Sequence, residues 1–158
     1  MKPSVLDSIR ELLRSRSIPF EERTHAPTYT SQDAADARDE PLEIGGKAIV
    51  AKVGTEFRLF VLSGARRLNS RAICKHLGEG RFRFASREEL LERTGLEPGC
   101  VPPFGEPILP LPLYVDTSMS GAGKIAFNAG SHTVSMILDR EDWLALARPS
   151  EIFEFSQP

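Results

Sequence analysis

Two cysteines, three histidines and one tryptophan are all that the 158 residues hold of those types. Cys74 and Cys100 stand in unrelated contexts, which excludes a disulfide framework and a zinc ribbon and points to a reducing, cytoplasmic setting. His25, His76 and His132 are scattered without ligand spacing, so neither a metal nor any other cofactor is expected. No apolar run reaches the ~20 residues that cross a bilayer. The N-terminal MKPSVLDSIRELLRS is interrupted by charge, so a signal peptide and a membrane partner are not expected either. An excess of one charge is also lacking: 20 Lys and Arg against 22 Asp and Glu leave a net charge of −2. The molecule as a whole is therefore no electrostatic sponge for nucleic acid. No Ser-His-Asp set stands out, and no repeat or low-complexity block divides the chain.

What is present reads as one α+β domain over residues 1–158. Val5, Leu6, Ile9, Leu12 and Leu13 recur at helical spacing behind Ser4, and Pro19 stops the run. Residues 20–24 suggest a short strand. Thr30-Ser31-Gln32-Asp33 opens a short acidic helix ending near Asp39. KAIVAKV (47–53) and EFRLFVL (56–62) flank Gly54-Thr55 and predict a hairpin. Asn69 caps a helix stopped by Gly78, RFRFA (81–85) alternates like a strand, and Ser86 with Glu89 forms a capping box for a helix ending at Gly95. LPLYVD (111–116), KIAFN (124–128) and TVSMIL (133–138) read as strands, and Asp139 caps a last helix closed by Pro149. Without strict βαβ alternation, the central sheet should be mixed and largely antiparallel, flanked by helices.

GCVPPFG (99–105) puts two prolines and two glycines side by side without a charge. Pro102 and Pro103 fix their own φ and restrict the residues before them, so the loop loses little entropy on binding a ligand. Its N–H groups, those of Gly99, Cys100, Val101, Phe104 and Gly105, are candidates to cradle a carbonyl oxygen, and Phe104 is a candidate stacking face. A plain helix-to-strand connection has the same composition. Lys47 is the second feature. Alternation puts it on one strand face with Ile49, Ala51 and Val53, so it either snorkels to solvent or sits in a partly dry pocket where its charge is worth more.

Lys47 at a strand start, KHLGEGRFRFAS (75–86) and RTGLEPGCVPPFG (93–105), in that order, resemble the YbaK/prolyl-tRNA editing family of aminoacyl-tRNA deacylases. HAPTYTSQDAADA (25–37) is similar to that family's N-terminal segment, and the likeness runs from about His25 to Leu146. The resemblance implies a YbaK-like fold, with the sheet open or partly closed into a barrel, and a free-standing, trans-acting hydrolase. Its substrate would be the ester joining a wrong amino acid to the terminal ribose of tRNA, and an aminoacyl-tRNA synthetase is an implied partner. Lys47 would bind and orient the substrate, and the backbone of Gly99 to Pro103 would hold the aminoacyl end. Phe104, Gly105, Asp116, Asn128 and Gly130 would lie at or near the pocket. An aminoacyl ester is already activated, so holding the carbonyl, placing a water and stabilising the oxyanion suffice; the resemblance adds that the ribose hydroxyl helps to activate the water. Pro102 stands where the family often has serine, Ala48 where it often has asparagine or threonine, and Phe127-Asn128-Ala129-Gly130 where some members carry His-Pro. The resemblance therefore leaves the amino acid open.

Two other readings are weighed. A domain of this fold that binds tRNA ends or a synthetase without catalysis would also tolerate Ala48 and Pro102. A thiol hydrolase would use Cys100 with His132, though nothing in the sequence brings them together. SGAGK (120–124) has the wrong spacing for a phosphate loop and leads into a strand. Arg66, Arg67, Arg71, Lys75, Arg81, Arg83 and Arg87 meet only Glu79 between them; they form a solvated face, or the phosphate contacts of a tRNA.

Overall fold

The computed structural model describes residues 3–158. Helix α1 (Val5–Ser15) is capped by the Ser4 side chain and turns Ile9 and Leu13 into the core. After β1 (Phe20–Thr24) comes α2 (Ser31–Arg38), whose first turn is held by the Thr30 hydroxyl accepting the Asp33 N–H at 3.0 Å. The hairpin forms as β2 (Gly46–Val53) and β3 (Glu56–Ser63). A two-residue β4 (Arg67–Leu68) leads to α3 (Ser70–Leu77), capped by Asn69, then β5 (Phe82–Phe84) and α4 (Arg87–Thr94) with the Ser86–Glu89 capping box. The remainder is β6 (Leu113–Asp116), β7 (Lys124–Asn128), β8 (Val134–Asp139), α5 (Arg140–Ala147), β9 (Glu151–Phe153) and β10 (Ser156–Gln157).

Five strands make a mixed sheet in the order β5-β2-β3-β6-β9, and three make an antiparallel sheet in the order β1-β8-β7. β2 is antiparallel to β3 and β5, whereas β3–β6 and β6–β9 are parallel. The sheets do not close into a barrel. A parallel bridge, Gly45 to Ala126, ties them together where β2 begins. β4 pairs with β10, so the C-terminal tail is laced to the segment after the hairpin.

The hairpin is buried on both faces. Ala51, Val53, Phe60 and Leu62 pack with Ile73 of α3 and with Phe153 and Phe155 of the tail. Val50, Leu59 and Val61 face the larger core, which holds Leu13, Phe104, Phe127, Met136 and Trp143. Each such fully buried side chain contributes about 1.5–3 kcal/mol of transfer free energy. The Trp143 indole N–H donates to the Pro103 carbonyl at 2.9 Å, fixing α5 to the 99–105 loop. β4, β9 and β10 have no sequence signal of their own: strands of two or three residues exist only because a neighbour's edge is waiting for them.

Candidate functional site

Where β2 begins, α2, the 99–101 segment and the end of β7 enclose a cavity of about 250 Å³. Lys47, Arg38, Gly99, Val101, Asn128 and Tyr29 are among its walls, and none of its lining residues is an aspartate, glutamate, histidine or cysteine. The strand mouth and the distant loop therefore meet.

The loop wall is pinned by its own main chain. Gly99 has φ of +87°, a region closed to most side chains, and a Cβ there would lie 3.0 Å from the His132 ring. Its carbonyl accepts the Asn128 side-chain amide at 2.7 Å, while the Cys100 N–H on the same peptide donates to the Glu97 carbonyl at 3.1 Å. The Gly130 N–H holds the Cys100 carbonyl at 3.0 Å, and the Phe104 N–H turns back to the Pro102 carbonyl at 2.9 Å. Gly99, Val101 and Gly105 are left: their N–H groups meet no acceptor among the described residues, and of the three Gly99 and Val101 line the cavity. Of the five amides expected as donors, two thus belong to cavity-lining residues and have no acceptor among the described residues.

The other loop residues serve the core. Cys100, Pro102, Pro103 and Phe104 are buried and do not line the cavity. Phe104 offers no free ring, being packed edge-on against Phe127 with centroids 5.6 Å apart. Gly105 sits against the Leu111 carbonyl, away from the cavity. Gly130 contributes only its N–H to the loop. The Cys100 thiol is pushed up by burial and by Glu97 nearby, the opposite of what a thiolate nucleophile needs.

Asn128 is the junction of a polar network that the sequence alone did not reveal. Its oxygen accepts from Arg38 at 3.2 Å and from the Ser135 hydroxyl at 3.3 Å, which in turn meets His25 at 2.8 Å. With that oxygen occupied, the amide nitrogen is aimed at Gly99. Arg38 is buried, donates also to the Ala34 carbonyl at 3.1 Å, and is pulled down to about 10 by burial, so it remains a cation at neutral pH. One signal was available. Ala34, Ala35 and Arg38 share the inner face of α2, and a cation on a small-residue face goes inside only when it has partners.

Lys47 is half-buried, and burial pushes its ammonium group below the ordinary lysine value. One of its three donors goes to the Arg66 carbonyl at 2.6 Å. Arg66 is itself held, its Nε donating to the Ser156 hydroxyl at 2.6 Å. Ser156 donates to Asp116 at 2.7 Å. Asp116 thus does not line the cavity but anchors the tail behind Lys47. Burial alone would raise its carboxyl; hydrogen bonds from Ser118, the Phe155 N–H (2.6 Å) and Ser156 outweigh that and hold it below the usual range.

In the basic run, Arg83 is paired with Glu89 and Arg87 with Glu97. Arg71 and Lys75 are exposed one turn apart on α3 and make no ion pair among the described residues. No group of three or more metal-ligating side chains gathers among the described residues. No helix there is long and apolar enough to cross a membrane.

The model of the aminoacyl-tRNA editing domain matches residues 25–146. The chain is 32% identical over 146 residues to the multifunctional Ser/Thr-tRNA deacylase ProXp-y of Escherichia coli K12, covering 87% of this chain and 85% of that one. A proline–tRNA ligase of Shouchella clausii is 31% identical over 120 residues, which is 74% of this chain but only 21% of the ligase. Among solved structures, a candidate trans-editing enzyme for prolyl-tRNA synthetase superposes with a TM-score of 0.81 at 25% identity, over the whole of both chains.

Proposed function

Because the chain belongs to the aminoacyl-tRNA editing domain family, we propose that residues 1–158 form one editing domain acting in trans as an aminoacyl-tRNA deacylase. A water attacks the ester carbonyl carbon, the bond to the ribose oxygen breaks, and that oxygen leaves with a proton. Free amino acid and intact tRNA are the products. The N–H groups of Gly99 and Val101 donate to the carbonyl oxygen as it becomes an oxyanion, and Lys47 supplies positive charge beside it. Pre-set donors in a partly dry cavity need no reorganisation during the reaction, and removing one such donor typically costs ~10²–10³ in rate.

One observation carries this reading: Lys47, Gly99 and Val101 line the same cavity. The absence of a carboxylate, imidazole or thiol from the lining residues agrees with it. Positioning and electrostatics then do the work, and the substrate's neighbouring ribose hydroxyl is left to activate the water. Pro102 does not line the cavity, so its replacement of the family's usual serine removes no hydroxyl from the site. Thr30, Ser31 and Arg38 give the small cavity polar walls. Together with the relative that deacylates Ser- and Thr-tRNA, they favour a small, hydroxyl-bearing amino acid. Exposed Arg71 and Lys75 are the proposed phosphate contacts.

A panel of tRNAs charged with serine, threonine, alanine, cysteine and proline tests the proposal. Release of a hydroxyl amino acid ahead of the others is expected. Binding of charged tRNA with no release of any amino acid would identify a non-catalytic module instead.

A further inference from the structure

Tyr29 is 72% exposed and yet forms part of the cavity wall. Large apolar side chains scattered on a surface need no explanation, but one at the mouth of a cavity does. Its backbone is not loose. Thr28 before it is buried and exchanges two bonds with His132: the Thr28 N–H donates to the His132 carbonyl at 3.1 Å, and His132 Nδ1 lies 2.8 Å from the Thr28 carbonyl. Thr30 after it is the cap of α2. The ring itself leans on the His132 imidazole, centroids 4.9 Å apart and planes at 41°. That imidazole in turn rests against Gly99. An exposed aromatic ring is thus held on a fixed base beside the loop that carries the free amides.

We propose that Tyr29, backed by His132, is the stacking platform for the terminal adenine of the aminoacyl-tRNA. This rests on the deacylase reading and adds a subsite to it. The size of the cavity agrees with such a subsite. At about 250 Å³ it falls below the ~300–1,000 Å³ of pockets that enclose whole drug-sized ligands, so an aminoacyl group with its ribose leaves the base outside, at the mouth. A base there finds the aromatic face of Tyr29. Stacking on such a face is worth ~1–3 kcal/mol per base.

Two RNA hairpins test this, one ending in CCA and one ending in CC followed by an abasic ribose, with binding read by fluorescence anisotropy. Wild-type protein is expected to bind the abasic hairpin roughly tenfold more weakly. Tyr29→Ala should bind both alike, at the weaker level, and Tyr29→Phe should behave as wild type. Equal binding of both hairpins by wild-type protein overturns the platform, as does adenine preference surviving in Tyr29→Ala or vanishing in Tyr29→Phe. The readout needs no hydrolysis. If adenine preference follows the ring while no charged tRNA is deacylated, the platform stands and the deacylase reading falls.

Discussion

The two walls of the cavity are built in opposite ways. The loop wall is cross-linked: Asn128, Glu97, Gly130 and Trp143 each hold a different main-chain group between Gly99 and Pro103. The cation wall hangs on one contact, the Lys47 ammonium on the Arg66 carbonyl, and that carbonyl's residue is tethered through Ser156 to Asp116. A cradle for an oxyanion must not move, because its value lies in donors already aimed. A lysine on a flexible stem needs only to be kept near and partly dry. Changes to the loop wall should therefore damage stability and rate together, and changes to the cation should damage rate alone.

The largest split between rate and stability belongs to Lys47→Ala. It should lower kcat/KM about 10²–10³-fold, while the melting temperature stays within a few degrees because the acceptor it gives up, the Arg66 carbonyl, belongs to a residue that is only half-buried. The lowered ammonium value also sets a sign: activity that needs the cation falls as pH rises through that value, earlier than for an ordinary lysine. Lys47→Arg, if active, should carry its alkaline limit to higher pH. A pH–rate profile of the three proteins reads both.

Asn128→Ala comes next and should show no such split. It releases the Gly99 carbonyl and takes an acceptor from buried Arg38, a loss of about 2–4 kcal/mol in denaturant unfolding, with turnover falling alongside. Asp116→Ala should cost about 1–3 kcal/mol with a milder effect on rate, since Lys47 keeps the Arg66 main chain. The Asp116 carboxyl is depressed in the folded protein. Its stabilisation is therefore full above the unfolded value and lost as pH falls through the folded one. The Asp116→Ala variant should accordingly show a weaker loss of stability on acidification than wild type. The smallest effect belongs to Arg71→Ala and Lys75→Ala. Each should raise KM for charged tRNA modestly and flatten its salt dependence by about one phosphate contact, leaving kcat untouched.

The contrast between the walls also explains what the sequence made legible. Lys47 was conspicuous because alternation put a charge on an apolar strand face, and the 99–105 loop because its composition restricts its own shape. Both are local signals. Arg38 and Asn128 act through partners 90 residues apart in the chain, and no window of sequence contains that pairing. The helices were readable from their caps, since Ser4, Thr30, Asn69, Ser86 and Asp139 each accept a backbone N–H of the following turn. β9 and β10 were not, because their stability comes from β6 and β4. The resemblance implies a place at or near the pocket for Asp116; its actual work, anchoring the tail, depends on Phe155 and Ser156, whose place only the fold fixes.

Amide shifts offer the most direct test of the oxyanion cradle. A non-hydrolysable aminoacyl-adenosine analogue, with an amide in place of the ester, is titrated into ¹⁵N-labelled protein. The Gly99 and Val101 N–H resonances should move downfield together as each gains an acceptor, while those of Phe104 and Gly105 stay in place. Saturating binding with Gly99 and Val101 unmoved would contradict the account.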